Sequence, residues 1–172
     1  PHYLLLNEES MRAVGPRAKC APPLRDEATR TALLDLLLAG EIDTVGSDHS
    51  PAPPEMKEGE SFDAAWGGIA GVQTTLRALL TLGVPPERIS ALLASNPAGR
   101  LRLPGKGAIE TGNDADFVLV EHSAPTPIER SELRDRHKLS PYVGMSRAGG
   151  LRGTYLRGKR VTDHTRGRLL TW

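Results

Sequence analysis

The apolar positions in the first part of the chain follow two different periods. Short apolar runs at residues 2–6, 17–21 and 42–47 each predict a strand, and the double proline that follows the second run cannot continue a hydrogen-bond ladder. Residues 28–39 instead carry leucines at helical spacing, and Gly40 follows them as a natural C-cap. This alternation of strands and helices predicts an α/β fold built from βα units.

Further helices are predicted downstream of a polar, proline-rich loop at residues 51–61. One helical face has apolar residues at offsets of three and four, namely Ile69, Val72, Leu76, Leu79 and Leu80. Another helix begins at Pro86, since proline is favoured in the first helical turn. Asn96 and Pro97 predict the N-cap and the first residue of a last short helix.

The pattern changes beyond Pro104, where glycines separate short runs with strand character. Residues 116–120 predict a strand, and residues 151–156 and 159–162 predict a hairpin that turns at Arg157-Gly158. Residues 126–143 predict an irregular loop or a short helix. We therefore divide the chain into residues 1–103 and residues 104–172.

Charge and composition exclude several classes of function. The 22 basic and 21 acidic residues nearly cancel, so no overall field favours nucleic acid or an anionic membrane as a partner. The most apolar stretch is too short to span a membrane, which takes about 20 apolar residues. Cys20 is the single cysteine and cannot form an intramolecular disulfide, which fits a cytoplasmic setting.

The chain starts at Pro1 directly before an apolar run, so we expect its start to cut through an element of secondary structure.

The strongest candidate for chemistry is Ser47-Asp48-His49-Ser50-Pro51, directly after the predicted strand at 42–47. Barrel enzymes keep their polar groups at the ends of strands in this way. Asp48 could equally cap the next turn while His49 points to solvent. His2 lies in an apolar run and could be a buried core residue or a ligand. An imidazole and a carboxylate are natural zinc ligands, but a catalytic zinc takes three protein ligands, so His2 and Asp48 alone do not make a zinc site.

Four segments occur in an order and spacing that resemble the allantoinase-type cyclic amidohydrolases of the amidohydrolase superfamily. These segments are Pro1-His2-Tyr3, Lys19-Cys20-Ala21-Pro22-Pro23-Leu24-Arg25-Asp26, Ser47-Asp48-His49-Ser50-Pro51 and Ala65-Trp66-Gly67-Gly68-Ile69. Residues 107–119 and 137–142 resemble later segments of the same family. The resemblance covers essentially the whole chain.

The resemblance implies a fold and a site. It implies the C-terminal part of a TIM-type (β/α)8 barrel, strands six to eight, in residues 1–103, and the C-terminal part of a composite β-sandwich in residues 104–172. His2 would bind one metal of a binuclear zinc pair, and Asp48 would bind the other and carry a proton from the attacking hydroxide to the leaving nitrogen. The remaining ligands would lie outside this sequence.

The resemblance also implies a substrate side and an activity. Cys20 and Ala21 match the segment that positions substrate, although Cys20 could equally be a buried thiol. Ser50 and His49 are further candidates for contact with substrate. The activity implied is hydrolysis of allantoin, a cyclic ureide, to allantoate in a homo-oligomer, a tetramer or dimer. The fragment alone is expected to be inactive.

Three alternatives to this activity stay open. The first two are a hydantoinase or dihydropyrimidinase and a dihydroorotase. The third is a non-catalytic amidohydrolase-like structural or interaction protein. The remaining histidines, His122, His137 and His164, are expected at the surface.

Overall fold

A computed structural model of the chain describes residues 1–57, 61–121, 125–167 and 169. It contains α-helices and short β-strands, so the predicted α/β class is confirmed. The helices are α1 (His2–Leu5), α2 (Glu8–Val14), α3 (Glu27–Ala39), α4 (Pro54–Lys57), α5 (Thr75–Thr81), α6 (Pro86–Ser90) and α7 (Asn96–Arg100). The strands are β1 (Phe117–Glu121), β2 (Thr126–Pro127), β3 (Ser146–Arg147), β4 (Gly150–Leu156) and β5 (Lys159–Arg160). Two 3₁₀ turns span Gly15–Ala18 and Arg130–Glu132, and a π-helical turn spans Ala91–Ser95.

The three strands predicted in the first part of the chain do not form. Residues 2–6 contain the helical turn α1, residues 17–21 begin within a 3₁₀ turn, and residues 42–47 are extended without ladder bonds. A parallel strand is defined by hydrogen bonds to its neighbours, and in this part of the described chain a single parallel bridge, between His49 and Ile69, is present. The predicted strand positions were therefore wrong.

Helix α3 confirms the prediction made from its leucines. The Asp26 side chain accepts a hydrogen bond from the Thr29 amide at 2.8 Å and so caps the N-terminus. The C-terminus ends on Gly40, whose φ of 94° lies in the left-handed region that glycine adopts without cost. Between these caps the helix buries Leu37 completely.

The later helices follow the prediction less closely. Helix α5 starts only at Thr75, because Ile69 pairs with His49 instead of joining the helix. The helix predicted at Pro86 is confirmed, and it continues through the π-helical turn into α7. Asn96 is therefore not an N-cap. It has helical backbone angles, and its side-chain amide donates to the Asp43 carbonyl at 2.8 Å.

Two apolar clusters hold the described part of the chain together. The first combines Leu4, Leu37, Leu79, Val84, Ile89 and Leu92. The second contains Leu6, Cys20, Leu24 and Ile69 together with Ile128, Leu133 and Tyr142 from the second half of the chain. Residues 128–142 thus pack against residues 6–24, and this contact fixes the later segment beside the candidate site. The division at residues 103 and 104 stays a prediction.

The described residues of the second half of the chain form two small antiparallel sheets. Strand β4 lies between β1 and β5, and β2 pairs with β3. The predicted hairpin is confirmed, and its turn residues Arg157 and Gly158 both have positive φ, as a tight hairpin turn requires. The Phe117 and Tyr155 rings stack across β1 and β4 with their centroids 4.6 Å apart. Residues 126–143 are mostly irregular, as predicted.

Candidate active site

His2 and Asp48, which are distant in sequence, lie side by side. His2 Nε2 is 3.6 Å from Asp48 Oδ2, and the His2 side chain is 1% exposed while that of Asp48 is 62% exposed. Neither ring nitrogen of His2 has a hydrogen-bond partner among the described residues. Because buried polar atoms are nearly always paired, these two nitrogens are an unusual feature of the site.

The surroundings of His2 keep its imidazole neutral. Burial lowers the pKa of His2 to about 4, and the nearby Asp48 carboxylate only partly opposes this shift. The ring also lies against Tyr3, with the two centroids 4.1 Å apart. A neutral imidazole with a free lone pair is the form that binds a metal.

Asp48 occupies a special backbone position. Its φ of 46° lies in the left-handed region, which Asp tolerates better than most residues. The residue directly follows residues 41–47, which have no helix or ladder assignment and are called the extended segment here, and it immediately precedes the bridge between His49 and Ile69. In the described part of the chain, the Asp48 side chain accepts no hydrogen bond from a backbone amide of the next turn. The carboxylate is thus exposed on one side and faces His2 on the other.

His49 is exposed, yet it is anchored. Its Nδ1 accepts hydrogen bonds from the amides of Gly71 at 3.1 Å and Val72 at 3.3 Å, which leaves the proton of the neutral ring on Nε2. The ring lines a cavity of about 410 Å³ together with Gln73, Arg134 and Asp135. His49 is therefore positioned to contact a molecule in this cavity.

Gln73 fixes the far wall of the same cavity. Its side-chain amide donates to the Glu132 carbonyl at 2.8 Å, and its Oε1 accepts from the Arg134 amide at 2.8 Å. These two bonds hold residues 132–134 against Gln73, which directly follows the Gly71 and Val72 amides that donate to His49 Nδ1. The cavity therefore has a defined shape although one wall comes from the second half of the chain.

Ser50 is held by backbone and side chain together. Its amide donates to the Ile69 carbonyl at 2.9 Å, and its Oγ accepts a hydrogen bond from Trp66 Nε1 at 3.2 Å. A Cβ atom at Gly68 would come within 2.4 Å of Ser50 Oγ, and one at Gly71 within 2.4 Å of the Ser47 carbonyl oxygen. These glycines allow the segment 66–71 to approach the segment 47–50.

Cys20 and Ala21 have opposite exposures. Cys20 is buried in the second apolar cluster, and burial raises the pKa of its thiol. Ala21 is exposed and is joined to Pro22 by a cis peptide bond. Tyr3 fixes this turn by donating from its hydroxyl to the Pro22 carbonyl at 2.7 Å. Ala21 and the adjoining backbone are thus the accessible part of the segment.

The Asp48 carboxylate lies near this segment. Burial raises the pKa of Tyr3 to about 12, and Asp48 adds to the increase. Asp48 likewise contributes to the raised pKa of Cys20, for which burial is the largest cause. The structure therefore brings Tyr3 and Cys20 into the electrostatic range of the His2 and Asp48 pair.

Lys57 is a buried residue to which sequence reasoning assigned no role. Its side chain is 3% exposed, and its Nζ donates to the Lys19 carbonyl at 2.7 Å and to the Trp66 carbonyl at 2.9 Å. Burial lowers its pKa to about 8. Nothing in the sequence signals this environment, because lysine in a polar loop is usually exposed.

The other histidines lie away from this pair or outside the described residues. His164 is exposed, as expected, whereas His137 is half-buried. His122 lies outside the described residues. Within the described part of the chain, no group of three His, Cys, Asp or Glu residues is close enough to hold a metal ion. His2 and Asp48 therefore supply two donors of the kinds that zinc takes, and the buried, unpaired ring nitrogens of His2 fit that role.

Comparison with known proteins identifies the family. The sequence profile of the amidohydrolase family matches residues 8–161, which include Cys20, Ala21 and Asp48. The chain belongs to the amidohydrolase family. The predicted family resemblance is thereby confirmed.

Named amidohydrolases resemble the chain closely over part of their length. An allantoinase from Deinococcus radiodurans is 50% identical over 99% of this chain and 40% of the relative. An allantoinase from Rubrobacter xylanophilus is 48% identical over 95% of this chain and 37% of the relative. The chain thus spans about two fifths of the length of the curated relatives that it matches.

Solved amidohydrolase-type structures agree with the fold. The L-hydantoinase (dihydropyrimidinase) from Arthrobacter aurescens superposes with a TM-score of 0.89 at 34% identity and covers 99% of this chain and 39% of its own. A D-hydantoinase from a Thermus species gives a TM-score of 0.82 at 29% identity over 93% of this chain and 37% of its own. This amidohydrolase chain therefore has the fold of part of a TIM-barrel hydrolase. No helix among its described residues is long and apolar enough to cross a membrane.

Proposed function

We propose that the full-length protein hydrolyses a cyclic amide, with allantoin as substrate and allantoate as product. The observation that carries this proposal is the buried, neutral His2 beside the exposed carboxylate of Asp48. The named allantoinases at 48% and 50% identity support the choice of substrate.

His2 and Asp48 would hold zinc in the proposed enzyme, and the remaining ligands would come from outside this chain. His2 offers a ring nitrogen that no other described group occupies, and Asp48 offers an anionic oxygen. Zinc bound there would lower the pKa of water toward neutrality and so supply a nucleophile at neutral pH. A binuclear site, as the resemblance implies, is part of the proposal.

Asp48 would move the proton that the reaction requires. Hydrolysis adds water across the ring C–N bond, so one proton must pass from the attacking water to the leaving nitrogen. The Asp48 side chain is 62% exposed and so can face both groups. Its backbone is in the left-handed region, and its Oδ2 lies 3.6 Å from His2 Nε2.

The substrate would lie between the exposed backbone at Ala21 and the segment that carries His49 and Ser50. A cyclic ureide has several N–H and C=O groups in one plane, which suit backbone amides and carbonyls as partners. Because the Cys20 thiol is buried, we assign its segment a role through backbone groups.

The experiment compares Asp48→Asn with Asp43→Asn in the full-length protein. Asp43 lies on the same extended segment but pairs with Arg100, away from His2. We expect Asp48→Asn to lower kcat for allantoin by about 10³-fold, since it removes a proton carrier and a ligand charge. Asp43→Asn should retain activity. Full turnover by Asp48→Asn would rule out the assigned role.

The second candidate function is hydrolysis of hydantoin or dihydrouracil. It is favoured by the close superposition on the L-hydantoinase structure. Dihydroorotate completes a panel of four ring substrates, of which allantoin should give the highest kcat/KM. A clear preference for hydantoin would replace allantoin by this alternative, and no turnover of any ring by zinc-loaded protein would favour a non-catalytic member.

The setting of the protein is proposed with its function. We propose a cytoplasmic homo-oligomer, a tetramer or dimer, that acts on a small molecule. The near balance of 22 basic and 21 acidic residues supports the view that nucleic acid is not a partner.

A further inference from the structure

A buried lysine joins the two segments proposed to bind substrate. Lys57 reaches from α4 to the Lys19 carbonyl at 2.7 Å and the Trp66 carbonyl at 2.9 Å. Lysine is almost never fully buried without partners, and the two carbonyl oxygens accept two of the three N–H bonds of its ammonium here. The proposed reaction uses no part of this side chain, so its burial needs another reason.

The first bond controls the peptide that precedes Cys20. A peptide group is planar, so fixing the carbonyl of Lys19 also fixes the direction of the Cys20 N–H. Cys20 leads directly into the exposed Ala21. Lys57 thus determines how the backbone of this segment is presented.

The second bond controls the segment that holds Ser50. The Trp66 carbonyl accepts from Lys57, its amide donates to the Met56 carbonyl at 2.8 Å, and its indole donates to Ser50 Oγ at 3.2 Å. Displacing the Trp66 backbone would therefore move the group that orients Ser50. Lys57 is therefore hydrogen-bonded to both sides of the proposed substrate position, and neither of these two bonds involves His2 or Asp48.

We propose that Lys57 is a positioning residue for substrate: its ammonium holds the Cys20–Ala21 backbone and the Trp66–Ser50 pair in one arrangement. This inference rests on the proposed function for its kinetic effect. It adds a specific role for a side chain outside the metal and proton chemistry. The effect should fall on substrate binding, because the metal-binding pair stays in place.

The kinetic test uses Lys57→Met in the zinc-loaded, full-length protein with allantoin. We expect KM to rise about tenfold while kcat stays within about twofold, the signature of lost binding rather than lost chemistry. Lys57→Arg keeps a cation and several N–H donors and should restore part of the loss. Lys106→Met is the matched control, because Lys106 is also paired, with Asp114 and Asp116, but lies in the second half of the chain.

A structural readout separates this inference from the proposed activity. In protein labelled with 5-fluorotryptophan, the ¹⁹F signal of Trp66 is assigned from its loss in Trp66→Phe. Lys57→Met should shift this signal, whereas Lys106→Met should not. An unchanged Trp66 signal would overturn the proposal even if wild-type protein hydrolyses allantoin. A shifted signal would support the positioning even if the substrate proves to be another ring.

Two kinetic outcomes would also overturn the proposal. One is an unchanged KM in Lys57→Met, and the other is an equal KM increase in the Lys106→Met control. If Lys57→Met is not recovered folded, Lys57→Gln takes its place, because the shorter amide cannot span both carbonyls and should raise KM as well. An unchanged KM in folded Lys57→Gln would then contradict the assignment.

Discussion

Gly71 allows residues 69–71 to pass directly over Ser47, the residue that precedes Asp48. A methyl group at this position would lie 2.4 Å from the Ser47 carbonyl oxygen. The neighbouring backbone cannot easily move away, because the Gly71 amide donates to His49 Nδ1 and its carbonyl accepts from the hydroxyls of Thr74 and Thr75. Gly71→Ala therefore forces a shift of roughly 1 Å in a segment fixed at both ends, which costs about 1–3 kcal/mol in overpacking.

Gly46→Ala is the matched control for this change. Gly46 directly precedes Ser47 in the extended segment, and a methyl group at Gly46 would meet nothing within 4 Å. Urea unfolding of the full-length protein, followed by circular dichroism, should give a lower midpoint for Gly71→Ala and an unchanged one for Gly46→Ala. Because Ser47 adjoins Asp48, Gly71→Ala should also lower kcat for allantoin. Equal midpoints for the two variants would refute the close approach on which the site geometry depends.

Two further predictions concern pH and the isolated chain. The pKa of Lys57 is about 8 in the folded protein against an ordinary 10.5, so the unfolded chain binds more protons between these values and the contribution of Lys57 to stability rises with pH in this window. The urea midpoint of wild type minus that of Lys57→Met should therefore be larger at pH 10 than at pH 7.5. An equal difference at the two pH values would contradict the burial of the Lys57 ammonium. The 172-residue chain alone should bind zinc weakly and open no allantoin ring, because a catalytic zinc takes three protein ligands and no group of three His, Cys, Asp or Glu among the described residues is close enough to hold a metal ion. Robust turnover by this chain, measured with chelated and zinc-loaded samples, would contradict that limit.

Local signals predicted the elements that local interactions stabilise. Helix α3 has its own N-cap at Asp26 and its own C-cap at Gly40, and the hairpin turn at Arg157-Gly158 requires only its two neighbouring strands. The apolar runs at 2–6 and 17–21 contain no such information. Such runs form strands only where neighbouring strands supply hydrogen bonds. In the described chain they contain helical turns instead, and several of their apolar residues are buried.

The candidate site also has a part that sequence predicted and a part that depends on the packing of distant segments. The motif around Asp48 and the family resemblance identified the residue types, but the contact between His2 and Asp48 depends on packing between distant segments. Lys57 could not be found from sequence, because its position in a polar loop predicts exposure and only the carbonyls of Lys19 and Trp66 make its burial favourable. The need for glycine at positions 68 and 71 likewise could not be predicted from sequence, because it depends on the Ser50 and Ser47 atoms that a side chain there would meet.

The central claim is that His2 and Asp48 form part of a catalytic zinc site. An anomalous difference map at the zinc absorption edge, from crystals of the full-length protein, tests it most directly. The account predicts zinc peaks within bonding distance of a His2 ring nitrogen, about 2.0–2.1 Å, and of an Asp48 carboxylate oxygen, about 2.0–2.2 Å. Zinc bound elsewhere in an active protein, with His2 and Asp48 uncoordinated, would contradict the account.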